Sequence, residues 1–278
     1  MATASARSSS PRIRADVWSA GQAHGTFWRR LRKDASMTKK LVVLAVFAVW
    51  MGGCAKRNAP APVPTNGLEL WLRADTGVVA EGGRISRWQD QSGHGRDGVM
   101  ANAPRQPALV ASTLNGLPVV RFEGAQSLYL KEPVSPEAFT ILVVGKNNNP
   151  EDTFSMILGP GGNFPNNQLR WENGGEVLAV GTGNGLPAVT TAVGDTRAYH
   201  LLTARYDGAT LTVHMNGRLA GSHPVKAQGP WVLSQVGAYF SQHYAEADLA
   251  EVRIYSQAFP AADLASVEAE LKSRYALR

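Results

Sequence analysis

From Gly67 onward the chain is a succession of short runs in which apolar and polar residues alternate. Leu68, Leu70 and Leu72 are separated by Glu69, Trp71 and Arg73, a period of two that predicts a strand with one buried face. The runs LPVVRFEG and FTILVVGK, rich in β-branched and aromatic residues, predict further strands. Asp207-Gly208 and Asn216-Gly217 sit between alternating runs and readily take the positive φ of tight hairpin turns. With the turn at Asp207-Gly208, Ala204 is expected opposite Leu211, Leu202 opposite Val213 and His200 opposite Met215. Arg205–Thr210 and Thr203–Thr212 then share the other face, with His214 on that solvent side. After the run LAEVRIYS, Pro260 suits the first turn of a helix. Leu264, Val267, Leu271 and Tyr275 follow at helical spacing, which predicts a short C-terminal helix packed over a sheet edge or end. Many short strands with Gly- and Asn-rich turns predict an all-β antiparallel sandwich.

The N-terminal part has a different pattern. Residues 1–36 are rich in Arg, Ser and Ala without apolar periodicity, and read as a start assigned too far upstream or a disordered leader. Met37, the basic pair Lys39-Lys40 and the apolar run Leu41–Met51 then have the layout of a secretory signal peptide. The run is shorter than the ~20 residues that span a bilayer. Gly52-Gly53-Cys54 resembles the lipobox of bacterial lipoproteins, departing from it at Met51, where leucine is usual. The resemblance implies a signal segment at 37–53 and a Cys54 that is acylated and becomes the mature N-terminus, anchored in a membrane. Residues 54–66 form a linker in which Pro60, Pro62 and Pro64 alternate, favouring an extended spacer of about 3.1 Å per residue. Ala55 after the cysteine favours an outer-membrane destination in the cell envelope.

This division changes the meaning of the charge. The whole chain is formally +6, but nine of its 28 Lys/Arg and two of its 22 Asp/Glu precede Cys54. The remainder carries 19 basic and 20 acidic residues, a formal charge of −1, so net charge gives no reason to expect nucleic acid as a partner. Cys54 is the one cysteine, which leaves the rest without disulfides. An unstapled domain of this length can still build its own core, and it is expected to be monomeric.

Five segments carry a further resemblance: GLELWLRADTGV, ISRWQDQSGHGRDGVM, NGLPVVRFEGAQSLYL, HLLTARYDGATLTVHMNGRLAGS and DLAEVRIYSQAFPAADLASVEAELKSRYAL. Their order is similar to that of bacterial laminin G-like, concanavalin A-like domains, over residues 67–278. The resemblance implies a two-sheet antiparallel jelly-roll sandwich with one convex and one concave face, followed by the short helix.

No P-loop, dinucleotide fingerprint, HExxH or GxSxG motif occurs. Asp90, Ser92 and Asp97 in QDQSGHGRDG offer oxygen ligands on a Gly-rich loop, a calcium candidate in a chain otherwise expected to need no cofactor; the same residues form side-chain-to-backbone turns. Asn163, Asn166, Asn167, Trp171 and Glu172, with Asn173 beside them, place amides next to an indole, the chemistry of sugar recognition. Trp171 alternates with Leu169 and equally fits the core. Tyr239, His243 and Tyr244 are further ligand candidates. Glu246, Asp248 and Glu251 in EADLAE resemble the bulged catalytic strand of jelly-roll endoglucanases. One extra residue would return Glu251 to the face of the other two, and retaining hydrolysis needs carboxyl groups about 5–5.5 Å apart. The motif stands on the last strand, unlike in those enzymes. The expected function is therefore a non-catalytic surface module that recognises a glycan or other envelope component, with a glycoside hydrolase or an adhesive protein-binding domain as alternatives.

Overall fold

The computed structural model describes residues 62–160, 166–183, 187–226, 229–240 and 243–278. Cys54, the signal and leader segments and Asn163 lie outside the described residues. The first strands are β1 (Leu68–Arg73), β2 (Val78–Glu81), β3 (Arg84–Trp88), β4 (Gly98–Val99), β5 (Ala108–Leu114) and β6 (Leu117–Glu123). Next come β7 (Leu128–Val134), β8 (Phe139–Asn147), β9 (Phe154–Gly159), β10 (Asn166–Glu172), β11 (Val177–Gly183) and β12 (Pro187–Ala192). The chain closes with β13 (His200–Tyr206), β14 (Thr210–Met215), β15 (Arg218–Pro224), β16 (Leu233–Val236), β17 (Glu246–Tyr255) and the helix α1 (Ala261–Tyr275). Among the described residues no helix is long and apolar enough to cross a membrane.

The strand pairings are antiparallel, and among the described residues all the strands belong to one hydrogen-bonded sheet. This corrects the expectation of two separate sheets. β16 pairs with both β7 and β9, and β17 with β1, β6 and β8, so hydrogen bonds run continuously around the core and the form approaches a closed barrel. One large apolar cluster fills the interior, with Leu70 and Leu72 of β1, Trp88, Phe122, Trp171 and Ile254 among its members.

β8 and β17 are buried on both faces. β8 lies between β13 and β17; Phe139, Ile141 and Val143 enter the main core, while Leu142 and Val144 meet a second cluster under α1. That is why Ile141, Leu142, Val143 and Val144 within FTILVVGK read as consecutive apolar residues rather than as an alternation. β17 carries a bulge: Leu249 stands opposite Gly145 and Glu251 opposite Val144, leaving Ala250 as the extra residue. Ala247, Leu249, Val252 and Ile254 consequently face the main core, and Ala250 and Tyr255 face the helix cluster.

The helix buries Leu264, Val267, Leu271 and Tyr275, the stripe the spacing predicts, and packs them against Leu68, Val119, Leu142 and Leu201 on the outer sheet face. Beneath it is a charged knot. Arg253, 1 % exposed, donates Nε to Glu251 Oε1 at 2.6 Å. Its Nη1 lies 2.7 Å from Glu270 Oε2 as a charge contact rather than an aligned hydrogen bond. Glu251 also accepts Trp71 Nε1–H at 2.7 Å and the Tyr275 hydroxyl at 2.7 Å. Burial works against the Arg253 charge, but Glu251 and Glu270 outweigh it and hold the guanidinium protonated. Burial and the adjacent Glu251 together push the Tyr275 phenol well above its ordinary value.

The hairpins separate into one read correctly and one shifted. Met215 pairs with Arg218 across the two-residue turn Asn216-Gly217, both at positive φ (51° and 79°). In the β13–β14 hairpin, Tyr206 pairs with Leu211, Ala204 with Val213 and Leu202 with Met215, two residues away from the expected register. The cause is Asp207, whose Oδ1 accepts the N–H groups of Ala209 and Thr210 at 3.1 and 2.9 Å, widening the loop. A shift of two preserves the faces, so the apolar partition stands. His214 is not solvent-facing: it lies under α1, with Nδ1 3.4 Å from Glu268 Oε1.

Glu251→Gln or Arg253→Met is expected to lower stability by about 3–5 kcal/mol, because each leaves its partner's charge buried. The Glu251→Gln/Arg253→Met double variant is expected to lose clearly less than the sum of the singles, measured by urea unfolding.

Candidate functional site

β8 ends by running into Asn147-Asn148-Asn149-Pro150. Against this segment folds the Asn173–Gly175 turn, all three residues at positive φ. Gly174 admits no side chain: a Cβ there would lie 2.0 Å from the Pro150 carbonyl oxygen. A Cβ on Gly175 would lie 2.9 Å from that of Asn147. The close approach of the two segments, together with Thr196 and Arg197 before β13, encloses a cavity of about 330 Å³. Its walls carry two cations, Lys146 and Arg197, and two amides, Asn147 and Asn148. Asn147, 7 % exposed, donates Nδ2–H to the Asn149 carbonyl at 2.7 Å, while its Oδ1 receives no hydrogen bond.

Beside the cavity, Asp248 is fully buried and serves as the hub of a second network. Arg121 donates to both of its oxygens at 2.7 and 2.8 Å, Asn148 Nδ2 to Oδ1 at 2.8 Å and the Tyr199 hydroxyl to Oδ2 at 2.6 Å. Burial alone would raise the Asp248 carboxyl, but these donors overturn it and hold it below the usual carboxylate range. Lys146 Nζ stands 5.2 Å from the centre of the Tyr199 ring, a cation–π contact.

Four residues beyond Pro150 begins an aromatic surface. Phe154, 36 % exposed, meets His243 edge-on at 5.9 Å, with the Arg170 guanidinium 4.9 Å from its ring. Tyr239 packs edge-on against Phe240 at 4.4 Å and stands 6.3 Å from His243. Phe240 and His243 are held at positive φ, so the backbone that presents these rings is strained.

Tyr239 and His243 are thus brought together at one surface. Glu172 lies near it, with Oε1 accepting Arg170 Nε–H at 2.8 Å. Trp171 corrects the ligand reading: it is 1 % exposed inside the main core, with no ring face for a sugar. Asn167 is also buried, its Nδ2 donating to the Pro230 carbonyl at 3.3 Å, and Asn166 lies in β10 opposite Gly183. Tyr244 is tied to Arg105, which donates to its hydroxyl at 2.6 Å.

The bulge does return Glu251 to the face of Asp248, as the EADLAE pattern requires. Their carboxylates are nevertheless occupied, Asp248 by Arg121 and Glu251 by Arg253, Trp71 and Tyr275 beneath the helix. Glu246 Oε1 accepts Asn149 Nδ2–H at 2.9 Å.

Asp90 and Asp97 spend their oxygens on the loop itself. Asp90 accepts N–H groups from Trp71, Ser92 and Arg96 and the Ser92 hydroxyl, and Asp97 accepts Asp90 N–H and Lys131 Nζ–H. Among the described residues no three His, Cys, Asp or Glu side chains converge as metal ligands. Lys146, Asn147, Asn148, Phe154 and Arg197 were not singled out by sequence reasoning. The amide run after an apolar strand was the available signal.

An antiparallel all-β domain with a cavity built by loops at one end of the sheet is the class these features define. The chain belongs to the concanavalin A-like lectin/glucanases superfamily, whose family model matches residues 123–265. Its fold is similar to that of Trypanosoma rangeli sialidase in complex with the inhibitor DANA (TM-score 0.54, 16% identity, 84% of this chain and 39% of the sialidase). It is also similar to domain 4 of AbnA, a GH43 extracellular arabinanase from Geobacillus stearothermophilus, in complex with arabinotriose (TM-score 0.52, 14% identity, 72% of this chain and 98% of that domain). A third likeness is to the binding domain of botulinum neurotoxin serotype D (TM-score 0.51, 11% identity, 74% and 51%). At these identities the likeness is one of fold, and the chain spans well under half of the sialidase. No curated protein sequence matches the chain.

Because the folded Asp248 carboxyl lies below its unfolded value, it contributes stability above about pH 4 that is lost as pH falls through the folded value. Asp248→Asn is expected to cost about 2–3 kcal/mol at pH 7. Urea midpoints of variant and parent are expected to converge as the pH falls below the folded carboxyl's lowered value.

Proposed function

We propose that residues 67–278 are a non-catalytic carbohydrate-recognition domain, carried on a bacterial lipoprotein that is anchored through an acylated Cys54 and displayed at the outer membrane. The observation that carries the recognition reading is the cavity at the end of β8. It sets amide and cationic groups in a recess, near a surface where the Phe154 ring is exposed and meets His243. Hydroxyl-rich ligands need directional donors and acceptors together with apolar ring faces, and this end of the sheet supplies both. Membership of a lectin and glucanase superfamily raises the same reading, as do neighbours solved with a sialidase inhibitor and with arabinotriose. The occupied carboxylates of Asp248 and Glu251 favour binding over glycoside hydrolysis.

The full chain is expected to retain oligosaccharides on a glycan array and to release no reducing sugar from laminarin, lichenan, agarose or carrageenan. Absence of glycan binding with capture of an envelope protein would favour the adhesive reading, and release of reducing sugar would favour the hydrolase.

Each acyl CH₂ buried in a membrane contributes about 0.8 kcal/mol, so two or three chains make a durable anchor. Cys54→Ser is therefore expected to move the protein from the membrane fraction to the soluble one or to leave it unprocessed. Mass spectrometry finding an unmodified Cys54 within a longer mature chain would contradict the anchor.

A further inference from the structure

We infer that the cavity at the end of β8 takes an acidic sugar, a uronic-acid residue whose carboxylate lies between Lys146 and Arg197. The inference rests on the carbohydrate reading above and specifies the ligand class for its site.

Three observations lead to it. First, among the described residues the charged side chains lining the cavity are both cations, with no carboxylate beside them. Among the described residues neither Lys146 nor Arg197 belongs to an ion pair: Lys146 rests over the Tyr199 ring, and Arg197 engages Asp195 through its backbone N–H. The acids nearby are committed elsewhere. Asp248 is held by Arg121, Asn148 and Tyr199, Glu246 accepts Asn149 Nδ2–H, and Asp152 Oδ1 accepts the Phe154 N–H. Two cations facing one recess repel each other until an anion enters, and a guanidinium fork with an ammonium suits a carboxylate.

Second, Asn147 requires a donor. Its Nδ2 is fixed on the Asn149 carbonyl, which settles the orientation of the amide and leaves Oδ1 buried without a partner. An unsatisfied buried acceptor is unfavourable, and a small turn of Asn147, which lines the recess, would bring Oδ1 to a ligand that presents an O–H. A simple anion has no such donor, and a neutral sugar has no charge for the cations. A uronate carries hydroxyls and a carboxylate on the same ring.

Third, the cavity is small and firmly built. At about 330 Å³ it is near the lower end of the roughly 300–1,000 Å³ usual for ligand pockets, suited to one residue of a chain rather than a long segment. Gly174 forms one wall at a separation from the Pro150 carbonyl that no other residue permits, so that side of the recess is set by backbone.

The test uses the full chain in detergent against matched pairs of oligosaccharides: galacturonate, glucuronate and mannuronate oligomers, and the same oligomers with each carboxylate reduced to the alcohol. At least one uronate is expected to bind tenfold or more tighter than its reduced partner. Lys146→Gln and Arg197→Gln are each expected to abolish that preference while leaving the urea midpoint unchanged. Equal binding of acid and reduced forms would overturn the acidic-sugar inference and leave the carbohydrate reading standing. Failure of both forms, together with an empty neutral-glycan array, would overturn both. A preference that survives both substitutions would place the site elsewhere and overturn the assignment of this cavity.

Discussion

The buried Arg253 charge is the constraint around which the C-terminal half is organised. Removing a guanidinium from water costs several kcal/mol even after relaxation, so Arg253 is tolerable only where acids and donors are fixed around it. Those groups come from three separate elements. Glu251 lies on the same strand, across the register set by the Ala250 bulge; Glu270 and Tyr275 lie on α1; and Trp71 lies on β1, with its ring 5.3 Å from the guanidinium. If α1 slid by one turn, Glu270 and Tyr275 would leave their partners while the apolar stripe could still find a greasy surface. The apolar contacts hold the helix down, and the charged ones define where it sits.

Much of the fold was legible because single-residue chemistry decided it. Asn216-Gly217 predicts its turn because few other pairs accept two consecutive positive φ values, and the helix stripe from Leu264 to Tyr275 follows from periodicity alone. What escaped depended on side chains acting at a distance. The β13–β14 loop widened because the Asp207 carboxylate captured two amides, which alternation does not report. The single continuous sheet follows from β16 and β17 each pairing with several strands, and such pairings leave no local mark.

The candidate site was less legible for a related reason. A tryptophan among asparagines suggests a sugar platform, yet strand parity sends Trp171 inward with Leu169, and the alternation alone allowed either face to be the core. The bulge in EADLAE was readable as a possibility, but whether its acids were free depended on Arg121 and Arg253, one 127 residues from Asp248 and one two residues from Glu251. The cavity draws on residues 146–150, 174 and 196–197, three segments without common spacing. Only folding makes them neighbours.

The direction of β17 has a mechanical consequence. Leu68, where β1 begins, pairs with Tyr255, and Ser256 N–H donates to the Gly67 carbonyl at 2.7 Å, so the preceding chain joins the domain at the C-terminal end of β17. The cavity lies at the other end, where Ala247 and Asp248 stand opposite Asn147 and Lys146. Ten residues at about 3.3 Å each put roughly 30 Å between these points. A load applied between the cavity end and the N-terminal chain would run along the strands. The β1–β17 ladder is then loaded in shear, and its hydrogen bonds resist together instead of opening one after another like a zip.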